Sequence, residues 1–227
     1  MRERVVVSVG GSLIVPAGID TGFLRNFRAL VLEEIKRGFS FVIISGGGAT
    51  ARAYQKASEA VRGDLPREDV DWVGIHSTRL NAQLLRNIFA EEAYPHILKN
   101  PTADISAQEP ILIAGGWKPG WSTDYCAVLM AKNLGATKLV NLSDIDYVYD
   151  ADPKQNKNAK PLEKVSWGEF RTIIPSEWDP GIHSPFDPVA AKEAEQLNLE
   201  VAIINGKHLE RLSDYLAGSP FTGTVIS

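Results

Sequence analysis

Short apolar runs bounded by glycine or polar residues alternate along this chain with segments of helical periodicity. Two of the runs, Arg4–Val9 and Phe39–Ser45, are almost continuously apolar, as strands are when helices cover both faces of their sheet. Five further runs read the same way: Ala93–Leu98, Pro110–Ala114, Thr137–Leu142, Leu199–Asn205 and Gly223–Ser227. Strands that alternate with helices predict an α/β fold, with an open, mainly parallel central sheet between two helical layers.

Apolar residues at helical spacing occupy the gaps between these strands, and boundary residues mark several of the helices. Aspartate before proline is a typical helix start, and glycine a typical stop. The predicted helices are Phe23–Ile35 with Asp20 or Thr21 as N-cap and Gly38 as stop, a stripe of Leu80, Leu84, Leu85, Ile88 and Phe89, a helix through Val128 and Leu129 that ends near Gly135, and a helix opened by Asp187-Pro188.

Composition and charge limit the function classes. The 227 residues are enough for one large domain, and 24 basic against 28 acidic side chains give a net charge of −4. This balance argues against broad binding to nucleic acid or to an anionic membrane. Glycines interrupt the apolar start of the chain, and no run reaches the roughly 18 apolar residues of a membrane span, so we expect a cytoplasmic protein. The single cysteine, Cys126, excludes an internal disulfide and is predicted to be a core residue.

Two glycine clusters follow predicted strands, at the sheet edge where open α/β sheets bind ligands. Val9-Gly10-Gly11-Ser12 follows the first strand, and Gly46-Gly47-Gly48 follows the second. Arg52 comes one helical turn after the triplet, so its guanidinium can return to the same place. The spacing matches neither the Rossmann nor the Walker motif. A phosphate cradle is favoured over a bare turn at the triplet.

Two more segments carry polar groups after predicted strands. Ala114–Asp124 contains three glycines, two tryptophans and one lysine before a predicted helix N-terminus, where hydroxyls either cap the helix or bind an anion. Leu142–Pro153 contains four aspartates, which could hold hydrated Mg²⁺, contact ribose hydroxyls or form an acidic loop; the spacing favours the loop. Two irregular stretches, 150–161 and 175–185, are predicted to be a surface loop and a segment long enough to cover a site. The histidines lack metal-ligand spacing: His76, His96, His183 and His208.

Taken in order, these segments resemble the amino acid kinase family, and within it the UMP kinases of the archaeal type. The matching stretches are SVGGSL, ISGGGATARAY, DWVGIHSTRLNA, AGGWKPGWSTD, DIDYVYDADPK and SPFDPVAAKEAEQLN. The resemblance implies one domain over 1–227, with an acceptor-binding N-terminal half and an ATP-binding C-terminal half. It implies transfer of the γ-phosphoryl group of ATP to UMP, Mg²⁺ held mainly by nucleotide phosphates, small-molecule nucleotides as partners, and a homohexamer built as a trimer of dimers.

The resemblance also assigns roles to individual positions. Arg52 and Asp124 would be the catalytic residues, Asp124 as an organising carboxylate, and no protein-held metal site is implied. The implied UMP contacts are Gly47, Asp71, Trp117, Lys118, Pro119, Gly120, Trp121, Ser122 and Thr123. The implied ATP contacts are Ser8, Val9, Gly10, Gly11, Ser12, Gly48, Arg52, Ser143, Asp144, Tyr149 and Asp152.

Two positions depart from the family pattern. Many members carry a lysine two residues before the first glycine pair, where this chain has Ser8; the neutralising charge would then come from Arg52, Mg²⁺, and Lys118 or Lys154. Tyr147 replaces a small residue in the later loop, which bears on how adenine or its ribose is held. Two alternatives therefore stay open. One is an amino acid kinase that acts on a carboxylate or carbamate, and the other is a non-catalytic relative that binds nucleotides or oxyanions.

Overall fold

The computed structural model describes residues 2–153, 155–176 and 184–227. The strands are β1 (Glu3–Val9), β2 (Phe39–Ser45), β3 (Ile111–Ala114), β4 (Lys138–Ser143), β5 (Val148–Tyr149), β6 (Pro161–Leu162), β7 (Lys164–Val165), β8 (Glu200–Asn205) and β9 (Thr224–Ile226). The helices are α1 (Gly11–Ile14), α2 (Thr21–Lys36), α3 (Gly48–Val61), α4 (Arg67–Ile88), α5 (Thr123–Leu134), α6 (Trp167–Ile173), α7 (Pro188–Gln196) and α8 (Glu210–Leu216).

The central sheet has the strand order β3-β2-β1-β4-β8-β9-β7. The first five strands in this order are parallel, and β9 runs antiparallel to β8. Because β2 and β3 lie on one side of β1 while β4 lies on the other, the connections diverge outside the carboxyl ends of β1 and β4. Open α/β sheets bind ligands at such a switch point.

The two faces of the sheet carry separate apolar layers, as an αβα sandwich requires. Odd-numbered β1 residues such as Val5 and Val7 pack with α2, α4 and α8, whereas Val6 packs with α5, α6 and α7. This alternation follows from the two-residue period of a strand. The predicted fold class, a three-layer αβα sandwich with an open, mainly parallel central sheet, is confirmed.

Several predicted helix boundaries are confirmed by their capping bonds. The carboxylate of Asp20 accepts a hydrogen bond from the Phe23 amide at the start of α2. Asp187 accepts from the amides of Val189 and Ala190 at the start of α7. Gly135 ends α5 with φ +66°, in the left-handed region that favours glycine.

Two predictions from the apolar pattern are wrong. Ala93–Leu98 forms only isolated bridges to β3, at its first and last residues, and Pro95 between them has no amide to donate to a ladder. Leu80 is 63% exposed, because the buried stripe of α4 runs through Ala82, Leu85 and Phe89 and leaves Leu80 on the opposite side. The small elements β5, β6, β7, α1, α6 and α8 were not predicted, since each is too short to show a clear period.

Three sequence predictions concern residues outside those described: Lys154 as a cation, His183 as a surface residue and most of the irregular segment 175–185. Within the described part of the chain, none of the helices is both long enough and apolar enough to cross a membrane.

Candidate active site

The carboxyl ends of four neighbouring strands bring the glycine-rich segments to one edge of the sheet. Val9 pairs with Ser45 of β2 and with Leu142 of β4, and Ile44 pairs with Ala114 of β3. The loop after each of these strands is one of the four segments singled out in the sequence. Their collection at one edge is therefore a consequence of parallel pairing.

The first two glycine loops lie directly against each other. A Cβ atom on Gly11 would stand 2.1 Å from the Gly48 amide nitrogen, and one on Gly48 would stand 2.3 Å from the Gly11 carbonyl oxygen. Gly48 also has φ +63°, which favours glycine. The glycines are thus required for close contact between the two loops, and this contact leaves the N-terminus of α3 beside the first loop.

Helix α4 holds both the glycine triplet and the loop after β3. The Asn81 amide donates to the carbonyl oxygens of Gly46 at 2.9 Å and Gly47 at 3.2 Å. The Gly116 amide donates to the Thr78 hydroxyl at 2.7 Å, and the Gly120 amide donates to the Asp71 carboxylate at 3.0 Å. One helix therefore sets the spacing between the two loops.

These elements enclose a cleft of about 360 Å³ between α3, α4 and the loop after β3. Nearly all of the predicted acceptor contacts line it: Gly47, Asp71, Lys118, Pro119, Gly120, Trp121, Ser122 and Thr123. Gly48 and Arg52, assigned in the sequence to the ATP side, line it as well. Arg52 also donates to the Ser12 hydroxyl at 3.4 Å, so its guanidinium lies between the cleft and the first glycine loop.

Aromatic rings and one lysine form the outer wall of the cleft. The Trp121 ring stacks on Tyr125 with centroids 4.4 Å apart, and the Lys118 ammonium lies 4.1 Å from the Trp117 ring centroid. Trp117 itself does not line the cleft and packs against Trp121 instead. A cation above an aromatic ring is attracted by the ring quadrupole, which orients Lys118 at the cleft wall.

Ser8 and Asp124 meet beneath the loops. The Ser8 hydroxyl donates to Asp124 Oδ1 at 3.2 Å, and the Asp187 amide donates to Asp124 Oδ2 at 3.4 Å. Removal of the carboxyl from water, with the nearby Asp187 carboxylate as a second cause, raises the pKa of Asp124 to about 7. At the position where the family pattern has a lysine, this chain pairs a hydroxyl with a carboxyl that is partly protonated near neutral pH.

The remaining predicted ATP contacts lie along the loop after β4. Ser143 ends β4, next to the first glycine loop, because the Gly10 amide donates to the Leu142 carbonyl at 2.9 Å. Asp144 follows and is exposed, Tyr149 lies in β5, and Asp152 is exposed further along the loop.

Asp146 and Asp150 have structural partners around this loop. Asp146 accepts from Arg211 and Asn205, and the Arg211 bond is the main cause of its lowered pKa. Asp150 accepts from the Lys160 amide at 2.8 Å. These bonds support the interpretation of this segment as an acidic loop.

The residues that sequence reasoning missed lie mainly on α4. Gly74, Ile75 and Thr78 line the cleft together with Asp71. Their spacing from Asp71 is i+3, i+4 and i+7, which places all four on one helix face. This period was visible in DWVGIHSTRLNA and could have identified them. Nothing local in the sequence indicated Gln55, on α3, as a further lining residue.

Comparison with known proteins agrees with this geometry. The family model described as "Amino acid kinase family" matches residues 3–205. The chain is 34% identical to the uridylate kinase of Thermococcus onnurineus, over 98% of this chain and 99% of that protein. It is 32% identical to the uridylate kinase of Hyperthermus butylicus, over 100% of this chain and 99% of that protein.

Solved structures give the same result. The crystal structure of uridylate kinase from Archaeoglobus fulgidus superposes with a TM-score of 0.84 at 28% identity, covering 100% of both chains. The UMP kinase of Bacillus anthracis shares the fold with a TM-score of 0.80 at 21% identity, over 99% of this chain and 96% of that one. These matches, together with the glycine loops and the order of strands in the sheet, show that the chain belongs to the amino acid kinase family.

Proposed function

We propose that this chain acts as a uridylate kinase, transferring the γ-phosphoryl group of ATP to UMP to give UDP. The observation that carries the proposal is the single cleft in which Asp71, the glycine triplet and the loop after β3 come together. Chains named uridylate kinase match this one over nearly its whole length, which supports the same assignment.

The cleft suits a nucleoside monophosphate. Asp71 is an acceptor for a sugar hydroxyl or base N–H, and the Trp121 ring offers an apolar surface. Arg52 and Lys118 supply positive charge for the acceptor phosphate, near the N-termini of α3 and α5. We assign UMP to this cleft, with the predicted contacts that line it: Gly47, Asp71, Lys118, Pro119, Gly120, Trp121, Ser122 and Thr123.

The donor is assigned to the switch point between β1 and β4. Backbone amides of the first glycine loop and of α3 would hold the ATP phosphates, with Ser143, Asp144, Tyr149 and Asp152 on the nucleoside side. Among the described residues no three His, Cys, Asp or Glu side chains cluster closely enough to hold a metal. We therefore propose that Mg²⁺ is held by the donor phosphates and water, where it neutralises charge.

Catalysis in this arrangement rests on positioning and charge neutralisation. The acceptor phosphate is already an anion, so no general base is needed, and phosphoryl transfer requires two polyanions in line. Arg52 lies between the cleft and the first glycine loop, where the transferring group would pass. Because Ser8 replaces a lysine, Arg52 is expected to supply the main side-chain cation, and Asp124 to organise the floor of the site.

The experiment that tests this function measures ADP formation from Mg-ATP with UMP, CMP, GMP, acetylglutamate or carbamate as the acceptor. We expect ADP with UMP and little with the others. If nucleotides bind but no acceptor gives ADP above background, the chain is a non-catalytic relative; if acetylglutamate or carbamate alone gives ADP, it is a different amino acid kinase.

Arg52→Ala tests the assignment of the catalytic cation. We expect kcat for UMP phosphorylation to fall by roughly 100-fold or more, as when a single donor to a developing anion is removed. Arg62→Ala is the matched control, since Arg62 is exposed at the other end of α3 and pairs with Asp64. An unchanged rate for Arg52→Ala would remove Arg52 from the site.

The wider setting is proposed on the same basis. A uridylate kinase supplies UDP to pyrimidine nucleotide synthesis, and we place this one in the cytoplasm as a hexamer made of three dimers. The domain assignment is also a proposal: one unit over 1–227, with acceptor contacts mainly in the N-terminal half and ATP contacts mainly in the C-terminal half.

A further inference from the structure

We propose that Arg79 is a positioning residue that holds the acceptor loop, residues 114–123, in its binding conformation before the acceptor arrives. The proposal rests on the proposed function for its kinetic consequences. Its structural basis is independent of the acceptor, because Arg79 contacts the loop backbone and is not part of the cleft lining.

The guanidinium of Arg79 binds two successive carbonyl groups of the loop. Its Nε donates to the Gly116 oxygen at 3.1 Å, and its Nη2 donates to the Trp117 oxygen at 2.8 Å. A planar fork of donors can satisfy two neighbouring acceptors at once, which the compact ammonium of a lysine does less well. Within the described residues no carboxylate forms an ion pair with Arg79, so these carbonyls are its principal polar partners.

The Arg79 side chain also contacts an aromatic ring of its own helix. The Arg79 guanidinium carbon lies 5.7 Å from the centroid of the Trp72 ring, two turns earlier in α4. The contact limits the rotamers of Arg79. Burial lowers the pKa of Arg79, but an arginine side chain stays charged in proteins. Trp72 and the loop thus confine the guanidinium from two directions.

The loop backbone has no room to shift toward α4. A Cβ atom on Gly115 would stand 3.0 Å from Arg79 Cγ and 3.2 Å from Arg79 Cα. Arg79 therefore fixes the entry of the loop, whereas Asp71 holds its apex through the Gly120 amide. Loss of the entry contact should release the segment that lines the cleft, even though every lining side chain remains.

The test uses Arg79→Gln and Arg79→Lys in the full chain, with Arg25→Gln on α2 as the matched control for loss of an exposed arginine. Hydrogen–deuterium exchange of the free protein measures how often the loop opens. We expect both Arg79 variants to exchange roughly tenfold faster over 115–123, with no change over 200–216, because loop opening becomes more frequent. Arg79→Lys keeps the charge and the aliphatic stem, so it tests the fork even if Arg79→Gln folds poorly.

Steady-state kinetics distinguish a role in positioning the loop from a general loss of structure. A loop that is no longer preorganised should raise KM for UMP about tenfold while KM for ATP stays within about twofold. The proposal is overturned if loop exchange is unchanged in both variants. It is also overturned if KM for UMP and KM for ATP rise equally and exchange over 200–216 becomes faster. If the wild type makes no UDP, the proposed function fails, and the exchange measurement still decides the role of Arg79.

Discussion

At the residue level, Asp124 is a carboxyl whose environment inside the protein differs strongly from that in water. Removal of the carboxyl from water is the main cause of its raised pKa and the nearby Asp187 carboxylate is the second, whereas the hydrogen bond from the Ser8 hydroxyl acts in the opposite direction. The usual aspartate pKa is about 3.9. Between that value and about 7 the native protein keeps a proton that the unfolded chain releases. Because the unfolded chain releases this proton more readily, the free energy of unfolding falls as pH rises through this window.

Asp124→Asn should remove this pH dependence. Relative to the wild type, we expect the variant's free energy of unfolding to rise between pH 5 and pH 8 by at most about 3 kcal/mol, since roughly two pKa units of the shift lie in this range and each corresponds to about 1.36 kcal/mol. Urea unfolding at the two pH values measures the difference. Asp64→Asn, at an exposed carboxylate, is the control. A constant difference between Asp124→Asn and wild type across this range would contradict the raised pKa.

At the level of secondary-structure elements, the proposed donor side depends on the contact between the first glycine loop and the start of α3. The two backbones approach more closely than any side chain allows at Gly11 or Gly48. This contact brings the backbones of both loops to one switch point, where we propose that phosphates are held by backbone groups rather than by charged side chains.

Gly11→Ala should separate these loops. The new methyl group would stand 2.1 Å from the Gly48 nitrogen, so one backbone must move. We expect a loss of roughly 1–3 kcal/mol in stability, as for other overpacked sites, and a rise in KM for ATP. Gly18→Ala is the control, because nothing lies within 4 Å of its added methyl group. Denaturant unfolding and steady-state kinetics of both variants provide the measurement, and equal behaviour of the two would show that the loops tolerate separation.

At the scale of the whole molecule, parallel pairing decides which parts of the chain can act together. The proposed acceptor cleft is formed by α3, α4 and the loop after β3, whereas the proposed donor side is formed by the loops after β1 and β4. Arg52 lies between the two sets. The order of strands in the sheet, rather than the order in the chain, creates this junction.

The outer face of α3 is the surface on which we expect subunits to meet. Tyr54 is 65% exposed and Val61 is 91% exposed; their seven-residue spacing puts them on one side of the helix, with the small Ala57 between them. Exposed apolar side chains grouped on one face indicate a contact surface.

Light scattering tests this expectation. We expect six times the chain mass of 24.8 kDa for the wild type. A Tyr54→Asp/Val61→Asp double variant should give a smaller assembly, because two charges would be buried. Ile19→Asp, at an exposed apolar residue that precedes α2 and does not belong to α3, is the control. A wild-type monomer would contradict the expectation, and an unchanged mass in the double variant would exclude this face.

Several features could be predicted from the amino-acid sequence alone: the alternation of strands and helices, the N-caps Asp20 and Asp187, the stop at Gly135 and the glycine loops. These features follow from short-range backbone preferences, so a local pattern is enough to identify them. The family pattern also identified most of the residues that line the cleft, because their order along the chain is distinctive.

The burial and the contact partners of individual side chains could be seen only in the tertiary structure. It exposed Leu80, reduced Ala93–Leu98 to two bridges, and placed Ser8 against Asp124, 116 residues away in the chain. It also turned Arg79 toward the loop carbonyls. Such contacts depend on packing between distant segments, and no local period or propensity encodes them.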